Sequence, residues 1–186
     1  QMAKYLWLIY MGLTLACFVC LRLAGMDSFD ALCHAFSTVA NGGFSTRDAS
    51  IAHFDSLRIE LIIALFMVVC AVNFASHFLF LRDRSPSVYW RDIETLPMVG
   101  LLALSVVGIA AYLFARGVHA EPLEALRHAF FNTISVATSA GFASQDYGAW
   151  PIFAPVWMMF LACVASSAGS TGGGIKMVRA LVLIKQ

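Results

Sequence analysis

Two short stretches, Ala40-Asn41-Gly42-Gly43-Phe44 and Thr138-Ser139-Ala140-Gly141-Phe142, combine small residues with glycine at matching positions. What they offer chemically is main-chain oxygen. Stripping water from a cation needs a ring of oxygens to replace it, and carbonyls in a tight turn supply them without adding fixed charge to an apolar surrounding. Glycine permits the backbone angles that such a turn requires. Each stretch follows a short amphipathic segment, so the partial negative charge of a helix C-terminus, about half an elementary charge, points toward the ion. Non-helical backbone at membrane depth is tolerated only where protein or a water-filled cavity satisfies it, which argues against a lipid-facing loop.

A third stretch, Gly169-Ser170-Thr171-Gly172-Gly173-Gly174-Ile175-Lys176, invites a nucleotide-binding reading and fails it. The lysine follows isoleucine rather than glycine, no serine or threonine follows it, and no strand precedes it. Two readings remain: a flexible break in a helix that lines a conduction path, or close packing of small residues between helices. A lysine within a spanning region costs about 2.5–3.5 kcal/mol on insertion scales. Lys176 therefore either snorkels to the inner surface or sits in an aqueous path, which favours the break.

The elements that must position these stretches are repeated. Ala31-Leu32-Cys33-His34-Ala35-Phe36 recurs as Ala125-Leu126-Arg127-His128-Ala129-Phe130 at an offset of 94, whereas Gly43-Phe44 recurs as Gly141-Phe142 at an offset of 98. The difference is about one helical turn. It keeps the same helix face pointing the same way, so both copies can deliver a glycine turn to an equivalent place. Internal repetition with an ion site between repeats is a common plan for transport proteins.

Composition agrees. Of 186 residues, 60% are hydrophobic and 12% charged, with mean hydropathy +0.79, which excludes an ordinary soluble domain and implies a multi-pass membrane protein. A net charge of +1 gives no reason to expect a nucleic-acid partner. Five cysteines lie in apolar segments, where they act as small hydrophobes; Cys17-x-x-Cys20 lacks the partner ligands of a metal or redox site. The chain begins and ends inside apolar segments and reads as a fragment of a longer polypeptide, with no signal peptide to remove.

The expected fold is an all-α integral membrane protein of repeated helix, re-entrant pore helix and helix units around an ion-conducting pore. Residues 1–90 form one unit: a spanning helix between Lys4 and Arg22, a pore helix over 28–40 capped by Asp27 or Ser28, a filter turn at 40–44 and a helix over 61–81. Residues 91–186 form the other: a helix over 95–115, a pore helix over 122–138, a filter turn at 138–142 and a broken helix over 150–186. Pore helices of this length are too short for a hydrocarbon core of about 30 Å. Asn73 and His77, four apart, should face protein or water, most simply as hydrogen-bond partners of a neighbouring helix. Arg82, Arg84 and Arg91 make the most basic short loop and assign it to the cytoplasm. Eight of the eleven acids then face the outer mouth with five arginines, a balance of −3 that either concentrates cations or simply keeps the interface soluble.

Three segments together resemble the TrkH/TrkG/KtrB superfamily of potassium transporters, most closely its TrkH members: 36–46, 135–142 and Ala168 to Lys176. That resemblance implies four repeats around one pore, of which this chain covers about two, the second and third. It implies that Gly43 and Gly141 are selectivity-filter glycines, with carbonyls of Ala40, Asn41, Gly42, Thr138, Ser139 and Ala140 lining the K⁺ path. It further implies that Gly169 to Gly174 with Lys176 form an intramembrane gate beneath the filter. Potassium is then the cargo, no organic cofactor is expected, and the chain is not an enzyme. The expected partners are a second copy in a homodimer and a cytosolic nucleotide-binding regulatory ring, TrkA-like, in a bacterial inner membrane. Two rivals are an intramembrane hydrolase pairing Ser45 with His77, and a purely structural repeat without conduction of its own.

Overall fold

The computed structural model describes residues 2–185; the outer ends of the two expected units, residues 1 and 186, lie outside the described residues. Those residues form nine α-helices and two short 3-10 turns, with no strand among them. Helix α1 (Met2–Leu23) meets no proline or glycine except Gly12 and carries charge only near its ends. At 1.5 Å per residue it is about 33 Å long, enough to cross a bilayer core. Of the two cap candidates the structure uses Asp27, whose carboxylate accepts the Phe29 N–H at 3.0 Å and starts α2 (Ser28–Val39).

The helix expected over 61–81 is not continuous. Its first part, α3 (Leu57–Ala71), and its second, α4 (Phe74–Asp83), meet at 92°. Val72 is extended at the junction, and the Asn73 side chain accepts the Ala75 N–H at 2.9 Å, capping a new helix instead of prolonging the old one. An uncharged run reads as one span because periodicity cannot register a cap buried inside it. After the short α5 (Ser87–Arg91), α6 (Thr95–Ala115) rises as the second long apolar helix. Both α1 and α6 are long and apolar enough to cross a membrane, and the bent α3–α4 pair makes a third if taken as one.

Pro122 at the first helical position and Glu124 in the first turn open α7 (Pro122–Ala137). It has 16 residues against the 12 of α2, so the extra turn inferred from the offsets lies within the helix itself. The last apolar run divides into α8 (Phe153–Val164), a non-helical stretch over 165–176 and α9 (Met177–Lys185).

Three buried clusters hold these helices together. Cys17, Leu21, Ala35, Ile63 and Met67 join α1, α2 and α3, and Phe131 and Phe142 enter this cluster from the other unit. Ile109, Leu113, Ala129, Ala154 and Met158 join α6, α7 and α8. The third, with Ala71, Met98, Ala137, Leu161 and Met177, stitches the two units together beside the non-helical stretch.

Candidate functional site

Both short helices end in the same way. After α2 the N–H of Asn41 bonds the Thr38 carbonyl at 3.1 Å and that of Gly42 bonds Ser37 at 2.8 Å; after α7 Ser139 bonds Val136 at 2.9 Å and Ala140 bonds Ser135 at 2.9 Å. This is a Schellman cap, which needs a left-handed residue just past the helix. That residue is not glycine in either copy: Asn41 has φ 49 and Ser139 φ 62. The glycines come two residues later, Gly43 at φ 68 and Gly141 at φ 89. Left-handed backbone at alternate positions swings the chain away from the helix. Among the described residues no hydrogen-bond donor reaches the carbonyls of residues 39–43 or 139–142.

The two turns also touch. A Cβ built on Gly43 would overlap the Ala140 carbonyl oxygen and stand 3.1 Å from the Gly141 carbonyl carbon, whereas one built on Gly141 would meet nothing within 4 Å. Glycine at 43 is thus a demand of close approach as well as of φ, and at 141 of φ alone. All eight residues expected in the filter, Ala40 to Gly43 and Thr138 to Gly141, fall in this one junction.

Residues 169–174 lie against both turns, and they are tied down along their length. Thr171 takes a hydrogen bond from the Asn41 amide at 3.0 Å and gives its own proton to the Cys70 carbonyl at 3.2 Å. The Gly173 N–H bonds the Ser139 hydroxyl, and a Cβ on Gly172 would overlap Ser166 and stand 3.1 Å from the Thr138 carbonyl. The same left-handed residue that ends each short helix thus uses its side chain to hold this loop. On the other side the loop completes the break between α3 and α4. Thr171 N–H bonds Cys70 at 3.2 Å, Ser167 N–H bonds Ala71 at 3.0 Å, and the Gly169 carbonyl accepts the Phe74 N–H at 3.1 Å. Main-chain groups orphaned by the bend are satisfied by main-chain groups of the loop, which is how both can exist away from water. Ser170 stays within the loop, donating to the Ser167 carbonyl at 2.6 Å. The half-buried Lys176 turns its ammonium back onto the Gly172 carbonyl, from a residue at φ 79.

One residue here escaped the sequence reading. Glu94, which marks only the charged edge of α6 in the sequence, is 5% exposed, and its carboxylate accepts the N–H groups of Ala168 at 3.1 Å and Val178 at 2.8 Å. The available signal was an acid set immediately before an apolar helix, which by itself is an ordinary interfacial charge.

The segments beyond the turns are anchored back onto the short helices. His34 contacts the Ser45 hydroxyl at 2.9 Å and the Asp30 carbonyl at 2.7 Å, and its ring stacks on Phe142 with centroids 5.9 Å apart. Ser45 is therefore the partner of His34 and not of His77, whose ring nitrogens contact Tyr89 and the Val69 carbonyl, each at 2.9 Å. Asn73 caps α4, so the expected Asn73–His77 face is divided between a cap and a helix-to-helix contact. In the second unit, with its extra turn, Asn132 and His128 both reach Ser144, at 3.0 and 3.2 Å.

Some of the charges at this end are paired. Arg47 bonds the buried Asp30 at 2.7 Å, and Arg127 of α7 bonds Glu60 at 2.7 Å and Asp55 at 2.9 Å, joining the two units. Glu60 is only 2% exposed. Three of the eight acids assigned to a vestibule are thus held by arginines, although the balance of charge is unchanged. Thr46 and Arg47 hold the Asp30 carboxyl below its usual range, and Glu60 pushes the Arg127 guanidinium above its own.

Comparison with known proteins matches the sequence and the fold. The chain is 46% identical, over all its 186 residues, to a protein of Escherichia coli named Trk system potassium uptake protein TrkH, of whose length it spans 38%. It is 38% identical over 99% of its length to TrkG of the same organism, again spanning 38% of that protein. The crystal structure of the potassium transporter TrkH from Vibrio parahaemolyticus superposes with a TM-score of 0.95 at 42% identity, over 98% of this chain and 40% of that one. The chain thus spans about two-fifths of the relatives it matches. With the family described as TrkH, cation transport protein, matching residues 1–186 throughout, it belongs to the TrkH family.

Proposed function

We propose that this chain supplies two repeats of a potassium-uptake pore in a bacterial cytoplasmic membrane. Carbonyls of residues 40–43 and 138–141 face the ion, and the loop from Gly169 to Gly174 with Lys176 is the gate beneath them. One observation carries the reading: two turns of the same backbone form, whose carbonyls among the described residues take no hydrogen bond apart from that of Thr138, which accepts the Ser139 hydroxyl, meet at the ends of two helices whose negative poles converge. Potassium as cargo is supported by the names of the relatives.

The rest of the ring comes from repeats beyond this chain. Phe142 is fully buried against the first unit, while its counterpart Phe44 is 81% exposed, as a seat for a further repeat would be. A second copy completes a homodimer, and a cytosolic nucleotide-binding ring docks on the inner face, the side of the Arg82 to Arg84 loop. The transported potassium needs no organic cofactor.

The test is K⁺ against Na⁺ flux through the full-length parent protein in liposomes, wild type beside Gly141→Ser at matched incorporation. Gly141 has room for a side chain, so the variant alters the turn without a clash. Loss of K⁺ preference is expected; an unchanged preference in assembled protein would leave the repeats as scaffold. Shortening 172–174 should raise open probability in single-channel records, and no change there would remove the gate.

A further inference from the structure

Every tie between the Gly-rich loop and the turns or the bent helix is a neutral hydrogen bond, and the one charged acceptor outside the loop that holds it comes from elsewhere. The loop is bounded by Ala168 and Val178, and a single buried carboxylate, that of Glu94, accepts the N–H of both, with Ala168 shared between its two oxygens. Ala168 lies in the non-helical stretch after α8, and Val178 is in the first turn of α9. Glu94 thus closes the two ends of an 11-residue segment onto one point and also puts negative charge at the positive end of the α9 dipole. Hydrogen bonds to an ionised acceptor are about twice as strong as neutral ones. The carboxylate sits at the N-cap of α6, outside both the loop and the helices it interrupts.

We propose that Glu94 is the positioning residue that holds the Gly-rich loop across the pathway: opening requires the N–H of Ala168, of Val178 or of both to leave its carboxylate. This rests on the reading of the loop as a gate. The other ties resist opening too, but each fixes one point of the loop, whereas Glu94 fixes its span. Lys176, between the two ends, is already engaged with the Gly172 carbonyl and so leaves the carboxylate to the main chain.

The experiment is single-channel recording of the full-length parent in planar bilayers, comparing wild type, Glu94→Gln, Glu94→Ala and a chain shortened at 172–174, with hydrogen exchange on the same preparations. Gln keeps an oxygen where Oε1 stands and nearly the same volume, so it removes charge while preserving packing, and it carries the test should Ala fail to assemble. Glu94→Gln should raise open probability several-fold and Glu94→Ala about tenfold or more, the scale of losing hydrogen bonds to a charged acceptor. Exchange should rise at Ala168 and Val178 and stay level in α6, and the K⁺ to Na⁺ permeability ratio should not move. Raised open probability on shortening with wild-type behaviour in both Glu94 variants would overturn the role of Glu94 and leave the gate standing. No response to shortening either would remove the gate and this inference together. A Gln variant whose K⁺ to Na⁺ ratio shifts along with its open probability would also overturn the proposal, because the disturbance would then reach the turns.

Discussion

The two units finish their short helices alike and then diverge. Asn41 and Ser139 occupy the same left-handed position, Gly43 and Gly141 the same place two residues on, yet what lies beneath them differs. Under the first turn a helix bends by 92° between α3 and α4; under the second it gives way to a loop over 165–176. Both disruptions expose main-chain groups, and each is satisfied largely by the other, through Thr171 on Cys70, Ser167 on Ala71 and Phe74 on Gly169. A repeated unit can therefore hold its turn constant and vary the helix below it, provided that neighbouring repeats vary in a complementary way.

The comparison can be broken most severely at its glycines. Gly43→Ala should abolish assembly, because the new methyl meets a main-chain carbonyl that cannot step aside, while Gly141→Ala should assemble with a strain of about 1–2 kcal/mol. Size-exclusion profiles of the two purified variants decide this, and equal behaviour would mean that the turns do not abut. Next in size is the bridge between units. Arg127→Met leaves Glu60 buried without its partner and should cost about 3–5 kcal/mol in thermal unfolding. Arg47→Met, whose arginine is nearly half exposed, should cost less.

A finer test separates the side-chain task of the left-handed residues from their backbone task. Asn41→Gly and Ser139→Gly keep the left-handed turn but delete the bonds to Thr171 and Gly173, each worth about 1 kcal/mol. Each should raise open probability several-fold at unchanged ion preference; a change in preference would show that the side chains shape the turn itself.

The smallest effect concerns pH. Burial pushes the His34 and His128 imidazoles below their ordinary value of 6.5. The unfolded chain takes up protons first, so stability should fall as pH drops through 6.5 and level off below the folded-state values. Unfolding temperatures between pH 8 and 5 should show this slope, and it should flatten in His34→Gln; an identical slope in that variant would assign it to other groups.

Much of this was legible from residue types. The offsets of 94 and 98 locate the extra turn of α7, and proline and acids mark where that helix starts. Small residues at 40–43 and 138–141 mark the two turns because few other residues fit them. The bend at Val72 was not legible: within an uncharged run, Asn73 looks like any polar residue on a helix face, and only the loop far along the chain makes breaking the helix tolerable. The rival hydrolase reading paired Ser45 with His77 because chemistry alone does not say which histidine is near; the turn folds it back onto His34.

By itself the sequence determined an all-helical apolar chain, its repetition and its two turn positions, since periodicity, charge-free length and the tolerance of glycine for unusual backbone are local properties. The tertiary structure decided which turn meets which, that Gly43 is crowded and Gly141 is not, that a loop completes a broken helix 101 residues away, and that Glu94 holds both ends of that loop. Those are matters of which buried polar groups find partners, and a partner distant in the chain leaves no local mark on the residue that needs it.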